Sequence, residues 1–151
     1  DLITKALPNA KIICMLRDPM DTSIGNYRQL FTINNPYYAY SLDLLDTVKF
    51  YSRFYKLMQH FSMQHSNIKL VKYEELVAQP EQKIKELVSF CNLEWQEQCI
   101  DFHLNTAPVS TASKVQVRQP LNNKAIGRWK AFKPHTDEIE DYFLKQGISI
   151  E

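Results

Sequence analysis

Glycine is nearly missing from this chain of 151 residues: there are three, Gly25, Gly127 and Gly147, far apart. That spacing excludes both a GxGxxG turn and a GxxxxGKS/T phosphate loop within these residues. No apolar run approaches the roughly 18–20 residues of a membrane span. The three cysteines, Cys14, Cys91 and Cys99, are odd in number and not spaced as a CxxC pair. Neither a disulfide framework nor a structural metal site is expected from them. His60 and His65 lie five apart and do not share a helix face as paired ligands would. No signal peptide is visible, so a reducing cytoplasm is the expected compartment. Acidic residues are absent from Phe102 to Thr136.

That last absence gives meaning to a bland net charge of +1. The acid-free tract carries Lys114, Arg118, Lys124, Arg128, Lys130 and Lys133, or +6; the remainder has 12 Lys and Arg against 17 Asp and Glu, or −5. A near-neutral protein with one localised basic tract fits a discrete anion. Nucleic acid is a poorer fit, because six charges over 35 residues with one Trp make a sparse polyanion footprint. Hydrophobic residues at 44% and charged residues at 23% describe a chain with a real core, not a disordered tail. Residues 1–151 are expected to belong to a single domain. The chain opens on Asp1, not Met, and runs almost directly into a strand-like stretch, so it is expected to be part of something longer.

Periodicity places the elements. Lys11 to Leu16 is a continuous apolar run, consistent with a strand buried on both faces, with Cys14 as a small buried thiol inside it. Asp18-Pro19-Met20-Asp21 reads as a helix start, with an N-cap, a proline at the first position and an acid in the first turn. This helix is expected to reach about Phe31, before Asn34-Asn35-Pro36. A longer helix, capped by Ser41, is expected to extend to about Gln64 with an apolar stripe at Leu44, Val48, Tyr51, Tyr55 and Met58. Ile68 to Val71 is a second short strand, ending at Tyr73. Pro80 opens a third helix with Ile84, Leu87, Val88 and Cys91 on one face. A short fourth helix is expected over Glu94 to His103, then loops and turns from Leu104 to Pro134. Asp137 to Lys145 reads as a closing helix stopped by Gly147. The order strand, helix, helix, strand, helix implies an α/β arrangement with a parallel sheet, too small at two strands to stand by itself.

Three places could carry chemistry. Arg17 follows the first strand, where open α/β sheets bind ligands and helix N-termini meet anions. A guanidinium there either clamps a phosphate or pairs with Asp18 or Asp21. Tyr73 ends the second strand and either lies on the same rim or plugs the core. The tract Ser113 to Asn122, continuing to Gly127-Arg128-Trp129-Lys130, is cationic and rich in amides and hydroxyls, as ligand-binding loops are.

Taken in order, these three segments resemble the sulfotransferases that use 3′-phosphoadenylyl sulfate (PAPS). The likeness is nearest to bacterial sulfotransferase domains attached to tetratricopeptide repeats, and to tyrosylprotein sulfotransferases. Arg17-Asp18-Pro19-Met20-Asp21-Thr22 resembles the family's 3′-phosphate motif. Val71 to Val77, then Pro80-Glu81, resembles its second cofactor strand and the helix after it. Gln116-Val117-Arg118-Gln119-Pro120, followed by Gly127-Arg128-Trp129, resembles its cofactor-closing segment.

The resemblance implies a P-loop-NTPase-like sulfotransferase fold, here incomplete and helix-rich, with a short parallel sheet remnant. It implies sulfonate transfer from PAPS to a hydroxyl acceptor, releasing adenosine 3′,5′-bisphosphate without a metal. Arg17 would hold the 3′-phosphate with the Gly25 position beside it, and Tyr73 would contact the nucleotide nearby. Ser113 would lie near the transferring sulfonate as the catalytic residue of this chain. Gln116, Val117, Arg118 and Asn122 would wrap the nucleotide, Arg128 would add a late basic contact, and Trp129 would pack. The family usually carries a serine where Gly25 stands, eight residues after the arginine. The family's phosphosulfate loop and its usual His or Glu base lie upstream of the first motif and are not found in this sequence. The segment is therefore expected to be inactive alone, with an N-terminal tetratricopeptide region as a further feature of the parent. A degenerate, non-catalytic binding module and another phosphate-handling α/β enzyme are the alternatives.

Overall fold

Two parallel strands form the sheet of the computed structural model, which describes residues 2–29, 31–32, 34–108 and 116–150. Strand β1 (Ile12–Leu16) pairs in parallel with β2 (Ile68–Lys72), Ile12 opposite Ile68 and Leu16 opposite Lys72. Parallel neighbours require a long connection. Here it contains helix α2 (Pro19–Arg28), a 3-10 helix (Pro36–Leu42) and helix α3 (Leu44–Gln64). A five-residue helix α1 (Leu2–Ala6) precedes β1. The fold is thus α/β with a short parallel sheet.

The chain divides into two compact units: residues 1–73 with 124–151, and residues 74–123. In the first unit, the core gathers Met20 and Ile24 of α2 and Val48 and Tyr51 of α3. They pack with Trp129, and with Ile139, Phe143 and Ile148 from the C-terminal region. Helix α6 (Asp137–Lys145) contributes Ile139 and Phe143, four apart and therefore on one face. Its end matches the expected stop. Gly147 takes φ +72°, its N–H bonds the Leu144 carbonyl and the Ile148 N–H bonds the Phe143 carbonyl, both at 3.0 Å. That is a Schellman closure, and it turns Ile148 back onto the core.

Several local expectations are corrected. β1 is not buried on both faces: Leu16 is buried, but Ile13 and Met15 remain 41% and 44% exposed. A sheet of two strands leaves alternate residues of a strand without cover. Helix α2 ends at Arg28, not Phe31, because Gln29 is extended (φ −76°, ψ 121°). Ser41 does not cap α3: its hydroxyl donates to the Tyr38 carbonyl inside the 3-10 helix. Asp43 is the cap, accepting from the Asp46 N–H at 2.9 Å, and a carboxylate there also suits the helix dipole. Strand β2 stops at Lys72, and Tyr73 opens helix α4 (Tyr73–Ala78).

In the second unit, helix α5 (Pro80–Phe90) begins at the expected proline. Its end uses Asn92 at φ 57°, with Leu93 N–H bonding the Val88 carbonyl at 3.1 Å. The α-helix expected over Glu94 to His103 is replaced by two 3-10 turns, Glu97–Cys99 and Phe102–Leu104. Gln96 is extended (φ −132°, ψ 131°) between α5 and these turns, and a helix of ten residues without a packed face does not sustain itself. A further 3-10 turn covers Gln116–Arg118. In the first unit, Arg128–His135 forms an eight-residue 3-10 helix.

Candidate functional site

The Arg17 backbone carbonyl, just past β1, accepts the Tyr51 hydroxyl of α3 at 2.7 Å. This bond ties the strand end to the helix layer. Beyond it, a cleft of about 480 Å³ opens between α2 and α3. Its polar side is Arg17, Asp21, Thr22, Gly25 and Asn26; its aromatic side is Tyr40, Phe50, Tyr51 and Phe54. Tyr40 and Phe50 stack with centroids 4.0 Å apart.

Asp18 caps α2 through the Asp21 N–H at 2.8 Å, so the helix's own carboxylate occupies its first turn. Asp21 then does something no local pattern indicated. Its side chain is buried, and it accepts from the Gly127 N–H at 2.6 Å and the Trp129 N–H at 2.9 Å. The Gly127 conformation is left-handed (φ +70°), a region that favours glycine. Arg17 completes the knot. Its Nη2 lies 3.4 Å from Asp21 Oδ2 and donates to the Ala125 carbonyl, while its guanidinium lies 5.4 Å from the centroid of the Tyr73 ring. Arg17 Nε is buried with no hydrogen-bond partner among the described residues.

The anion-clamp and ion-pair readings of Arg17 are therefore not exclusive. One edge of the guanidinium is committed to Asp21 and Ala125, and Nε is not. Tyr73 is half-buried against Arg17 and is not a core plug. Gly25 shares the cleft with Arg17, and a Cβ built there would meet nothing within 4 Å. A glycine inside a helix costs about 0.5–1 kcal/mol relative to alanine. Gly25→Ala is accordingly expected to raise stability by about that amount, read as a higher urea midpoint. No change would mean that the open position contributes nothing to the unfolded-state entropy argument.

Arg128 is exposed, between the two residues whose N–H groups Asp21 holds. Trp129 is buried in the core, as expected. In the second unit, Val117 and Arg118 are half-buried, with Arg118 Nη2 donating to the Ala107 carbonyl. Asn122 is exposed and donates to the Pro120 carbonyl at 3.3 Å. Gln116 opens the 3-10 turn of that unit, and Ser113 lies outside the described residues. The cysteine thiols are all half-buried and free, and burial pushes the Cys14 thiol above its ordinary pKa. No cluster of three or more His, Cys, Asp or Glu that could hold a metal ion occurs among the described residues. No helix among them is long and apolar enough to cross a membrane.

Sequence reasoning quoted Thr22 within the motif but gave it no role, and it missed Asn26, Tyr40 and Phe50 as lining of the cleft. Helical spacing offered a signal for Thr22, three residues before Gly25 and so on the same face.

The family model described as "Sulfotransferase family" matches residues 1–97, which include Arg17, Gly25 and Tyr73. An uncharacterized protein of Aquifex aeolicus (strain VF5) is 28% identical over 148 residues, covering 97% of this chain and 19% of that protein. The chain therefore spans about a fifth of the length of this relative. With a strand end, a capped helix and a half-committed arginine at one cleft, and a family match over more than half its residues, the chain belongs to the sulfotransferase family.

Proposed function

We propose that this chain supplies the nucleotide 3′-phosphate side of a PAPS-dependent sulfotransferase. The observation that carries the reading is Arg17: a guanidinium at a strand end, in a cleft, with one buried N–H still unpartnered among the described residues. An unpaired buried donor costs roughly 1–3 kcal/mol, and a phosphate oxygen removes that cost. Asp21 accounts for one part of the Arg17 charge. Exposed Arg128 and Lys130 add positive charge along the segment that Asp21 anchors.

PAPS supplies a sulfonate whose transfer to a hydroxyl acceptor releases adenosine 3′,5′-bisphosphate. The residues of this chain bind and orient. Arg17 holds the 3′-phosphate, with Tyr73 stacked behind the guanidinium to limit its rotamers. The family likeness assigns Gln116, Val117, Arg118 and Asn122 to the nucleotide, Arg128 to a basic contact and Ser113 to the sulfonate. Catalysis of this kind rests on positioning and charge stabilisation. The 151 residues contain no glycine-rich phosphosulfate loop, so this segment contributes nucleotide affinity and not turnover by itself.

The test uses the full-length protein and calorimetric titration with adenosine 3′,5′-bisphosphate. Loss of a charge-assisted contact is worth roughly 1.5–3 kcal/mol, so Arg17→Ala is expected to weaken binding about 10- to 100-fold. Unchanged affinity would remove Arg17 from the site. A nucleoside triphosphate out-competing the bisphosphate would instead favour a kinase-like relative. Gly25 at the family's serine position favours a second reading, a binding module that no longer turns over. Nucleotide binding without sulfonate transfer would support it.

A further inference from the structure

Thr22, which lines the cleft, carries a second buried polar atom without a partner among the described residues, its hydroxyl oxygen. A threonine inside a helix ordinarily returns its hydroxyl to the carbonyl three or four residues earlier. The Asp18 carbonyl, which accepts the Thr22 backbone N–H at 3.0 Å, would be the usual acceptor, as the Asp43 carbonyl is for both groups of Thr47, but the Thr22 hydroxyl has no partner among the described residues. Thr22 lies one turn before Gly25 on the same face of α2, and both line the cleft with Arg17.

The other polar groups on that side are already engaged. Asp21 accepts two backbone N–H groups and faces Arg17. Asn26 donates its side-chain amide to the Thr22 carbonyl at 3.1 Å. Two residues lining the cleft, Arg17 and Thr22, thus each carry a polar group unpartnered among the described residues, the Arg17 Nε and the Thr22 hydroxyl. Both can donate, and buried donors in native proteins are rarely left unpaired. A ligand group with several anionic acceptor oxygens satisfies both at once. Gly25 leaves open space beside the hydroxyl. Ser23, also unpartnered among the described residues, is wholly buried and does not line the cleft.

We propose that Thr22 is a phosphate-binding residue, donating its hydroxyl to the same phosphate monoester as Arg17 and replacing the hydrogen bond that Gly25 cannot make. The inference rests on the cleft being the nucleotide 3′-phosphate site, and its test separates the two.

The full-length protein is titrated with adenosine 3′,5′-bisphosphate and with adenosine 5′-phosphate, which lacks the 3′ group. Thr22→Val keeps the side-chain shape and removes the hydroxyl. It is expected to weaken bisphosphate binding about tenfold, the scale of a hydrogen bond to a charged group, and to leave the monophosphate unchanged. Thr22→Ser is expected to bind as the wild type does. Gly25→Ser in the Thr22→Val background is expected to restore most of the loss. Equal bisphosphate affinity of Thr22→Val and wild type overturns the proposal, as does an equal loss for both nucleotides. A Thr22→Ser variant as weak as Thr22→Val overturns it too. Wild type that binds the two nucleotides equally overturns the 3′-phosphate reading itself, and this inference with it.

Discussion

Asp21→Ala is expected to destabilise the protein by about 3 kcal/mol, chiefly through two backbone N–H groups left buried at roughly 1–3 kcal/mol each. Those groups belong to Gly127 and Trp129, 106 and 108 residues away along the chain. The start of a helix carries N–H groups without intrahelical partners. Gly127, at the start of the Arg128–His135 turn, has no side chain with which to cap it. Asp21 provides the capping oxygens from another element. The Arg17 contribution is smaller, because its side chain is 31% exposed and an orphaned guanidinium there hydrates. Asp21→Asn keeps one acceptor but turns an amide donor toward the other N–H, so an intermediate loss is expected. Urea unfolding followed by tryptophan fluorescence measures both, and a loss below about 1 kcal/mol would mean that water replaces the carboxylate. The same variant is expected to weaken nucleotide binding, since Arg17 would lose the group that orients it.

Phe143→Ala is expected to cost about 3–5 kcal/mol, the usual range for truncating a buried aromatic side chain. Phe143 is fully buried and meets the Tyr51 ring edge-on, with centroids 5.9 Å apart and planes at 89°. Such a pair adds about 0.5–1.5 kcal/mol beyond area burial. The consequence reaches the site, because the Tyr51 hydroxyl holds the Arg17 carbonyl. The vacated space lets the Tyr51 ring shift, so weaker nucleotide binding is expected alongside lower stability. Phe143→Leu, which refills part of the volume, is expected to lose less than half as much. If Phe143→Ala unfolds at the wild-type urea midpoint, α6 is not part of the core that supports the cleft.

Much of the architecture was legible in local pattern. Asp18-Pro19 marked the start of α2, Pro80 that of α5, and Gly147 the stop of α6, because caps and left-handed turns act over a few residues. The parallel pairing followed from two apolar runs separated by helices. Arg17, Gly25 and Tyr73 were picked out by position and by family likeness, and the structure brings Arg17 together with both others. The misread elements share a cause. Ser41 and the Glu94–His103 stretch satisfied short-range propensities, but Asp43 offered a better cap and no packed face supported a fourth α-helix. Propensity is a weak prior that neighbouring structure overrides.

By itself, then, the amino-acid sequence determined the order of β1, α2, α3, β2, α5 and α6, the shortage of glycine that excludes a phosphate loop here, and the basic tract between Phe102 and Thr136. Only the tertiary structure decided what part of that tract packs against. It set Gly127 and Trp129 on Asp21 and left two residues of one cleft, Arg17 and Thr22, each with a buried polar atom that has no partner among the described residues. The reason is the range of the forces. Caps and periodicity are settled within about four residues along a helix, whereas the satisfaction of buried N–H groups is settled across the whole folded unit.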